Sequence, residues 1–250
     1  MNDRKEWQEY SVILKELLNL EYSPVALSCL KEPFLTVEDK KLRICRAILD
    51  AGKGQTLEIN KKTNACFGAS WHLGFNKIDD PKIMNMIKKF VVEGEKLFCS
   101  YQALDKLISQ MESVPDNSSS YFLLSPLEKA PQLPELVIVI VNAEQACRIL
   151  TLTMFLDGIM PKIKIGGPTC RMSIIYPLLT GELNLSFYDY TARKMCNVEK
   201  DKLLISIPYN RLPKIIENIE KCSAGKAKIE FPQEFREFLQ KRLSAAKDKT

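Results

Sequence analysis

Hydrophobic and polar positions along the chain fall into blocks that switch between helical and strand-like periods. From Asp3 to Leu20, residues Trp7, Tyr10, Leu14, Leu17 and Leu18 recur at intervals of three and four, the stripe of an amphipathic helix, which Ser23-Pro24 ends. Val25 to Leu30 reads as a short buried strand. Glu38 to Asp50 carries Leu42, Cys45, Ile48 and Leu49 at helical spacing and stops at Gly52 and Gly54. Gln55 to Ile59 alternates as a strand, and Cys66 opens a short helix ending near Gly74. With Asp80 as N-cap and Pro81 in the first helical position, a helix runs to Glu93, and another covers Tyr101 to Met111.

Val114 to Ser120 (Val-Pro-Asp-Asn-Ser-Ser-Ser) is the clearest loop and the candidate hinge. Beyond it, Tyr121 to Leu124 is strand-like. Leu136 to Val141 is apolar at every position, as a central strand covered on both faces would be. Strands are predicted at Lys162–Ile165, Leu183–Tyr188 and Leu203–Ile207. Helices are predicted at Ala143–Leu156, Cys170–Leu179, Leu212–Lys221 and Phe231–Leu243. This alternation predicts an α/β (or α+β) fold, a mixed sheet flanked by helices. The halves are residues 1–113 and 121–250, joined by the loop 114–120, in two lobes or one compact domain.

Two segments share an outline. Each begins with Cys-Arg in a helix (Cys45-Arg46, Cys147-Arg148), passes a glycine, a strand and a turn, and reaches a second cysteine that opens a helix (Cys66, Cys170). The cysteines of each pair stand 21 and 23 residues apart. The match predicts a duplicated β-α-β-α unit. A pseudo-twofold axis between two copies would bring matching cysteines together where strands end and helices begin, the usual place for a ligand in open sheets.

Composition narrows the function classes. Hydrophobic residues at 46% and charged residues at 27% are enough for a proper core. The net charge of +5 gathers partly at Lys241, Arg242, Lys247 and Lys249. No basic stripe interleaves with aromatics, which argues against nucleic acid. No stretch resembles a signal peptide, and no apolar run approaches the roughly 18 residues of a membrane span. The expected location is cytoplasmic, where the eight cysteines stay mostly reduced. The expected partners are a small ligand or a redox partner, and a homo-oligomer is compatible with the sequence.

The chemistry concentrates in two stretches, Asn64 to Phe75 and Gly166 to Arg171. A cysteine at a helix start has its thiolate favoured by the partial positive charge there, which suits a metal ligand or a redox thiol. Cys66 and Cys170 hold such positions; Cys45 lies mid-helix and would have to point inward. The alternative is that all of them pack as small hydrophobes, since no Cys-x-x-Cys or Cys-x-x-His pair is present. Cys29, Cys99, Cys196 and Cys222 read as packing or incidental.

Gly166-Gly167-Pro168-Thr169 before a helix could offer backbone N–H groups to an anion, with Arg171 and Arg193 adding charge, or be only a tight turn. It lacks the ending of a P-loop. Asp189 and Arg193, four apart, are read as a helix-start ion pair or as ligand-facing. The ligand-binding set is thus Cys66, Gly68, Gly166, Gly167, Thr169, Arg171, Asp189 and Arg193. His72 is the only histidine, with no nucleophile elbow nearby, and reads as a half-buried helix residue. No catalytic residue is assigned.

At Arg43-Ile-Cys-Arg-Ala, Ala65-Cys-Phe-Gly-Ala with Leu73-Gly-Phe, Gln145-Ala-Cys-Arg and Cys170, the chain resembles a prokaryotic family, domain of unknown function one hundred and sixty-nine, uncharacterised ArCR. The resemblance implies cysteines at positions 45, 66 and 170 and a Gly-Cys-x-Gly-x-Arg-like motif late in the second half. Here that motif reads Phe187-Tyr188-Asp189-Tyr190-Thr191-Ala192-Arg193: the arginine matches, but the cysteine and glycines are replaced. If the family's cysteines hold an iron–sulfur cluster or another metal, this chain would offer Cys45, Cys66 and Cys170, with Cys147 or Asp189 as the fourth ligand. No activity follows from the resemblance. The leading expectation is a non-hydrolytic binding or redox protein with its site between Cys45, Cys66 and Cys170. The rivals are a thiolate enzyme using Arg171 or Arg193, and a regulatory partner whose cysteines merely pack.

Overall fold

Six strands of the computed structural model form one sheet: β1 (Val25–Leu30), β2 (Leu57–Ile59), β3 (Tyr121–Pro126), β4 (Leu136–Val141), β5 (Asn184–Phe187) and β6 (Leu203–Pro208). Their order is β2-β3-β1-β4-β6-β5, and every pairing is antiparallel where a mixture of directions was expected. The structure describes residues 5–35, 41–76, 81–117 and 120–247. The expected N-cap Asp80, the helix start at Glu38 and serines 118 and 119 lie outside these.

The α/β (or α+β) class holds. Among the described residues the helices are α1 (Glu6–Leu17), α2 (Ile44–Gly52), α3 (Phe67–His72), α4 (Pro81–Lys89), α5 (Tyr101–Ile108), α6 (Ala143–Met154), α7 (Tyr176–Thr180), α8 (Tyr190–Cys196), α9 (Leu212–Ile219), α10 (Ser223–Lys226) and α11 (Gln233–Lys247). π-helical turns, Phe90–Gly94 and Arg171–Ile175, extend α4 and lead into α7.

The sheet reads alike from either edge. On each side of the sheet's centre, from β1 outward and from β4 outward, the three strands stand in the order first, third, second, and the registers agree. Val25 pairs with Pro126 as Leu136 pairs with Pro208, and Leu57 pairs with Leu124 as Asn184 pairs with Ser206. At the centre, Val25–Ile138 and Leu27–Leu136 flank the Ala26–Val137 pair symmetrically. The helices do not follow this symmetry. β3, after the 114–120 loop, inserts between β1 and β2, which precede that loop.

β4 is Leu-Val-Ile-Val-Ile-Val, and no residue of it is more than 2% exposed. Branched side chains fit a pleated surface covered on both sides, and each contributes about 1.5–3 kcal/mol when fully buried. One face, with Val25, Leu27, Leu136, Ile138 and Ile140, packs on α2, α3, the Arg171–Ile175 turn and α8. The other, with Ala26, Val137, Val139 and Val141, packs on α1, α6 and α9. Consequently α2 and α6, matched in the expected repeat through Cys45-Arg46 and Cys147-Arg148, lie on opposite faces.

Lys162–Ile165 is not a strand. The Asn184 side chain takes the place of a strand partner: Lys164 N–H donates to its Oδ1 at 2.8 Å, and its Nδ2 donates to the Lys164 carbonyl at 3.0 Å.

Candidate functional site

The first face of the sheet gathers the cysteines. Cys45 of α2, Cys170 before the π turn and Cys196 of α8 are 9%, 5% and 1% exposed, and Cys66, the N-cap of α3, packs against the same core while partly open to solvent. Cys66 holds its place because its sulfur accepts the Ala69 N–H at 3.4 Å, and Asn64 Nδ2 donates to its carbonyl at 2.7 Å.

These side chains act on one another. Burial pushes the Cys45 thiol well above its ordinary value, and the nearby charges of Cys170, Asp189, Cys196 and Cys66 push the same way. Burial likewise raises Cys170, reinforced by Cys66 and Asp189 and opposed by backbone N–H groups. Cys196 is raised by burial while Arg43 and Arg46 pull it down. The Tyr188 hydroxyl, buried and without a partner, sits among them, raised first by burial and then by Cys45 and Cys196.

The expected trio of Cys45, Cys66 and Cys170 is therefore brought together, and the fourth thiol is Cys196. Cys147 is exposed on α6, on the far face. Of the two readings of Cys196, packing or incidental, packing holds; the signal for it is the four-residue spacing of Ala192 and Cys196, which turns both inward along α8. Cys222 packs in the second core, Cys99 is exposed, and burial holds the Cys29 thiol up at about 12.

The Gly166 turn is engaged from within the chain. Thr169 donates both its N–H and its hydroxyl to Asp189 Oδ2, at 2.9 and 2.7 Å, so the anion bound at this helix start is the protein's own carboxylate. Asp189 Oδ1 caps α8 by accepting the Ala192 N–H at 2.8 Å. Gly166 takes φ +92°, which suits glycine, and a Cβ on Gly167 would lie 2.9 Å from Met172. Gly68, by contrast, has open space where a Cβ would stand.

Nor do Asp189 and Arg193 pair with each other. Arg193 donates to the carbonyls of Tyr188, Glu199, Lys200 and Lys202 at 2.7–3.2 Å, a clamp on the chain between α8 and β6. Arg171 is 1% exposed, and its Nε and Nη2 have no hydrogen-bond partner. His72 is fully rather than half buried. Burial lowers its pKa to about 3, with the Arg171 charge adding to the effect, so the imidazole is neutral.

Soft thiol donors are of the right kind for a thiophilic metal or an iron–sulfur cluster. Their arrangement does not fit one: among the described residues no group of three or more His, Cys, Asp or Glu side chains could hold a metal ion. Burial also keeps Cys45 and Cys170 as protonated thiols rather than ligating thiolates. Among the described residues no helix is long and apolar enough to cross a membrane.

The fold defines an α/β protein that packs Cys45, Cys66, Cys170 and Cys196 in one core on one face of an antiparallel sheet. Residues 13–218 match the model of the domain-of-unknown-function family described as uncharacterised ArCR, and the chain belongs to that family. No curated protein and no solved structure matches it.

Proposed function

We propose that this chain is a thiol-based redox protein, with Cys66 as its attacking thiol and Cys170 as the resolving thiol behind it. The supporting observation is a partly open cysteine backed by a buried one, whose thiol feels the Cys66 charge more than any other. The Cys66 thiolate attacks one sulfur of a partner's disulfide, forming a mixed disulfide and releasing a thiolate. Cys170 then gives its proton to that thiolate and attacks Cys66 Sγ, freeing the partner's second sulfur, which takes up the proton Cys66 had lost. The partner's disulfide gains two electrons and two protons, and the chain ends with a Cys66–Cys170 disulfide. Cys45 and Tyr188 lie buried in the same core and help shield Cys170 from water, while Cys66 stays open to the partner.

The placing of a fourth thiol, Cys196, in the same core favours a second reading, in which Cys45, Cys66, Cys170 and Cys196 would hold a thiophilic metal as thiolates. The same preparation separates the two. Protein purified without oxygen is analysed for iron, zinc and acid-labile sulfide, then treated with a small-molecule disulfide and mapped by mass spectrometry. Thiol exchange predicts a metal-free protein that falls from eight free cysteines to six, with Cys66 and Cys170 joined. Stoichiometric metal, lost in the Cys66→Ala, Cys170→Ala variant, would carry the second reading. Unchanged thiols in a metal-free protein would leave the cysteines as core.

A further inference from the structure

Arg171 is the largest fully buried side chain, and nothing in the thiol chemistry uses it. Its unpartnered atoms are Nε and Nη2. These two N–H groups lie on the same edge of the guanidinium and point in parallel, the fork that grips both oxygens of a carboxylate or phosphate. A buried guanidinium with this edge unpartnered is costly, so the fork is built for an acceptor.

The protein supplies one that stops short. Glu112 Oε2 is 3.9 Å from Arg171 Nη2, beyond hydrogen-bond length, and is itself buried and unpartnered. The other oxygen of Glu112 is held by Lys164 Nζ at 2.7 Å, and that ammonium also donates to the Gln110 carbonyl at 2.8 Å. Further along the segment, Asn117 donates to the Leu73 carbonyl through its side chain and to the Gly74 carbonyl through its backbone, both at 2.9 Å. The strap from residue 110 to 117 is thus tied at both ends, with Glu112 facing the arginine. His72 is buried nearby with Nδ1 unpartnered, and a neutral imidazole can donate from that nitrogen.

We propose that the Nε–Nη2 edge of Arg171, helped by His72, is the receptor for a small oxyanion, and that Glu112 competes with this ligand for the fork. The ligand carries a carboxylate or phosphate group and enters by displacing Glu112, whose carboxylate stays on Lys164. Arg171 would bind this anion whether or not Cys66 and Cys170 exchange disulfides.

The test titrates inorganic phosphate, and separately acetate, into the full chain at constant ionic strength, following heat and the thermal midpoint. Saturable binding of either anion is expected, and comparison of the two tells tetrahedral from planar recognition. Glu112→Gln removes the competing charge and should tighten binding about fivefold or more, while Arg171→Lys, which has no fork, should weaken it about tenfold. No response beyond that of equal sodium chloride, in both wild type and Glu112→Gln, would overturn the proposal and leave Glu112 as a simple counterion. Should Arg171→Lys fail to fold, Glu112→Gln decides alone: affinity equal to or below that of wild type overturns it.

Discussion

Asp189 and Thr169 hold each other reciprocally: the carboxylate accepts the threonine's N–H and hydroxyl, and the hydroxyl oxygen accepts the Asp189 N–H at 2.8 Å. With its other oxygen on Ala192, Asp189 joins the start of the helical stretch 169–180 to the start of α8. Both stretches carry cysteines of the site. Asp189→Ala leaves buried donors unmet at two helix starts and should cost about 2–4 kcal/mol. Asp189→Asn can still cap Ala192 and should recover part of the loss. Urea unfolding at neutral pH gives both numbers; an alanine variant as stable as wild type would mean the lock contributes nothing.

His72 makes the fold sensitive to acid. Its pKa is lowered in the folded state, from an ordinary 6.5 to about 3. Between these values the unfolded chain binds the proton and the folded chain does not. Its contribution is therefore complete above about pH 6.5 and is lost as pH falls toward 3, at about 1.4 kcal/mol per pH unit. From pH 7 to pH 5 the loss attributable to His72 is about 2 kcal/mol. His72→Gln should be less stable at pH 7 yet show a flatter decline on acidification. Parallel slopes for the two proteins would remove His72 as the cause.

Much of this could be read from the residues themselves, because local rules governed it. Val25–Leu30 and Leu136–Val141 are strands with the expected bounds: Leu136–Val141 is a branched apolar run that fits a sheet covered on both faces, and Val25–Leu30 is a short, mostly apolar run set off by the preceding Ser23-Pro24. Cys66 starts its helix as expected. The failures came where a partner distant in sequence decided. Lys-Ile-Lys-Ile at 162–165 alternates like a strand, but the Asn184 amide, twenty residues on, satisfies its backbone. The stripe of α6 marks an inward side without saying which face of the sheet it covers, so Cys147 was paired with Cys45 although the sheet stands between them. Glu112 has no local signal at all; only the fold sets it against Arg171.

Arg193 distinguishes a clamp from a ligand contact. Four carbonyls accept from its guanidinium, among them Lys202 at 2.7 Å and Glu199 at 2.9 Å. An ammonium is a single point donor and cannot span them, so Arg193→Lys and Arg193→Met should destabilise alike, by about 2–3 kcal/mol. A lysine variant with full stability but altered anion binding would assign Arg193 to the ligand instead.

Gly74 sets the seat of the strap over α3. Its φ of +78° lies where side chains are strained, and an added Cβ would fall 2.2 Å from the Pro115 carbonyl oxygen. Neither problem yields without moving the other: relaxing φ shifts the Gly74 carbonyl that accepts the Asn117 N–H, and moving Pro115 lifts the segment that carries Glu112. Gly74→Ala should therefore cost about 2–3 kcal/mol, more than the strain of the dihedral alone. The extra loss has a local signature, faster hydrogen exchange at the Asn117 amide while amides of β4 keep their protection. Uniform acceleration across both would indicate global destabilisation only, and an Asn117 amide as protected as in wild type would show that Gly74 does not hold the strap.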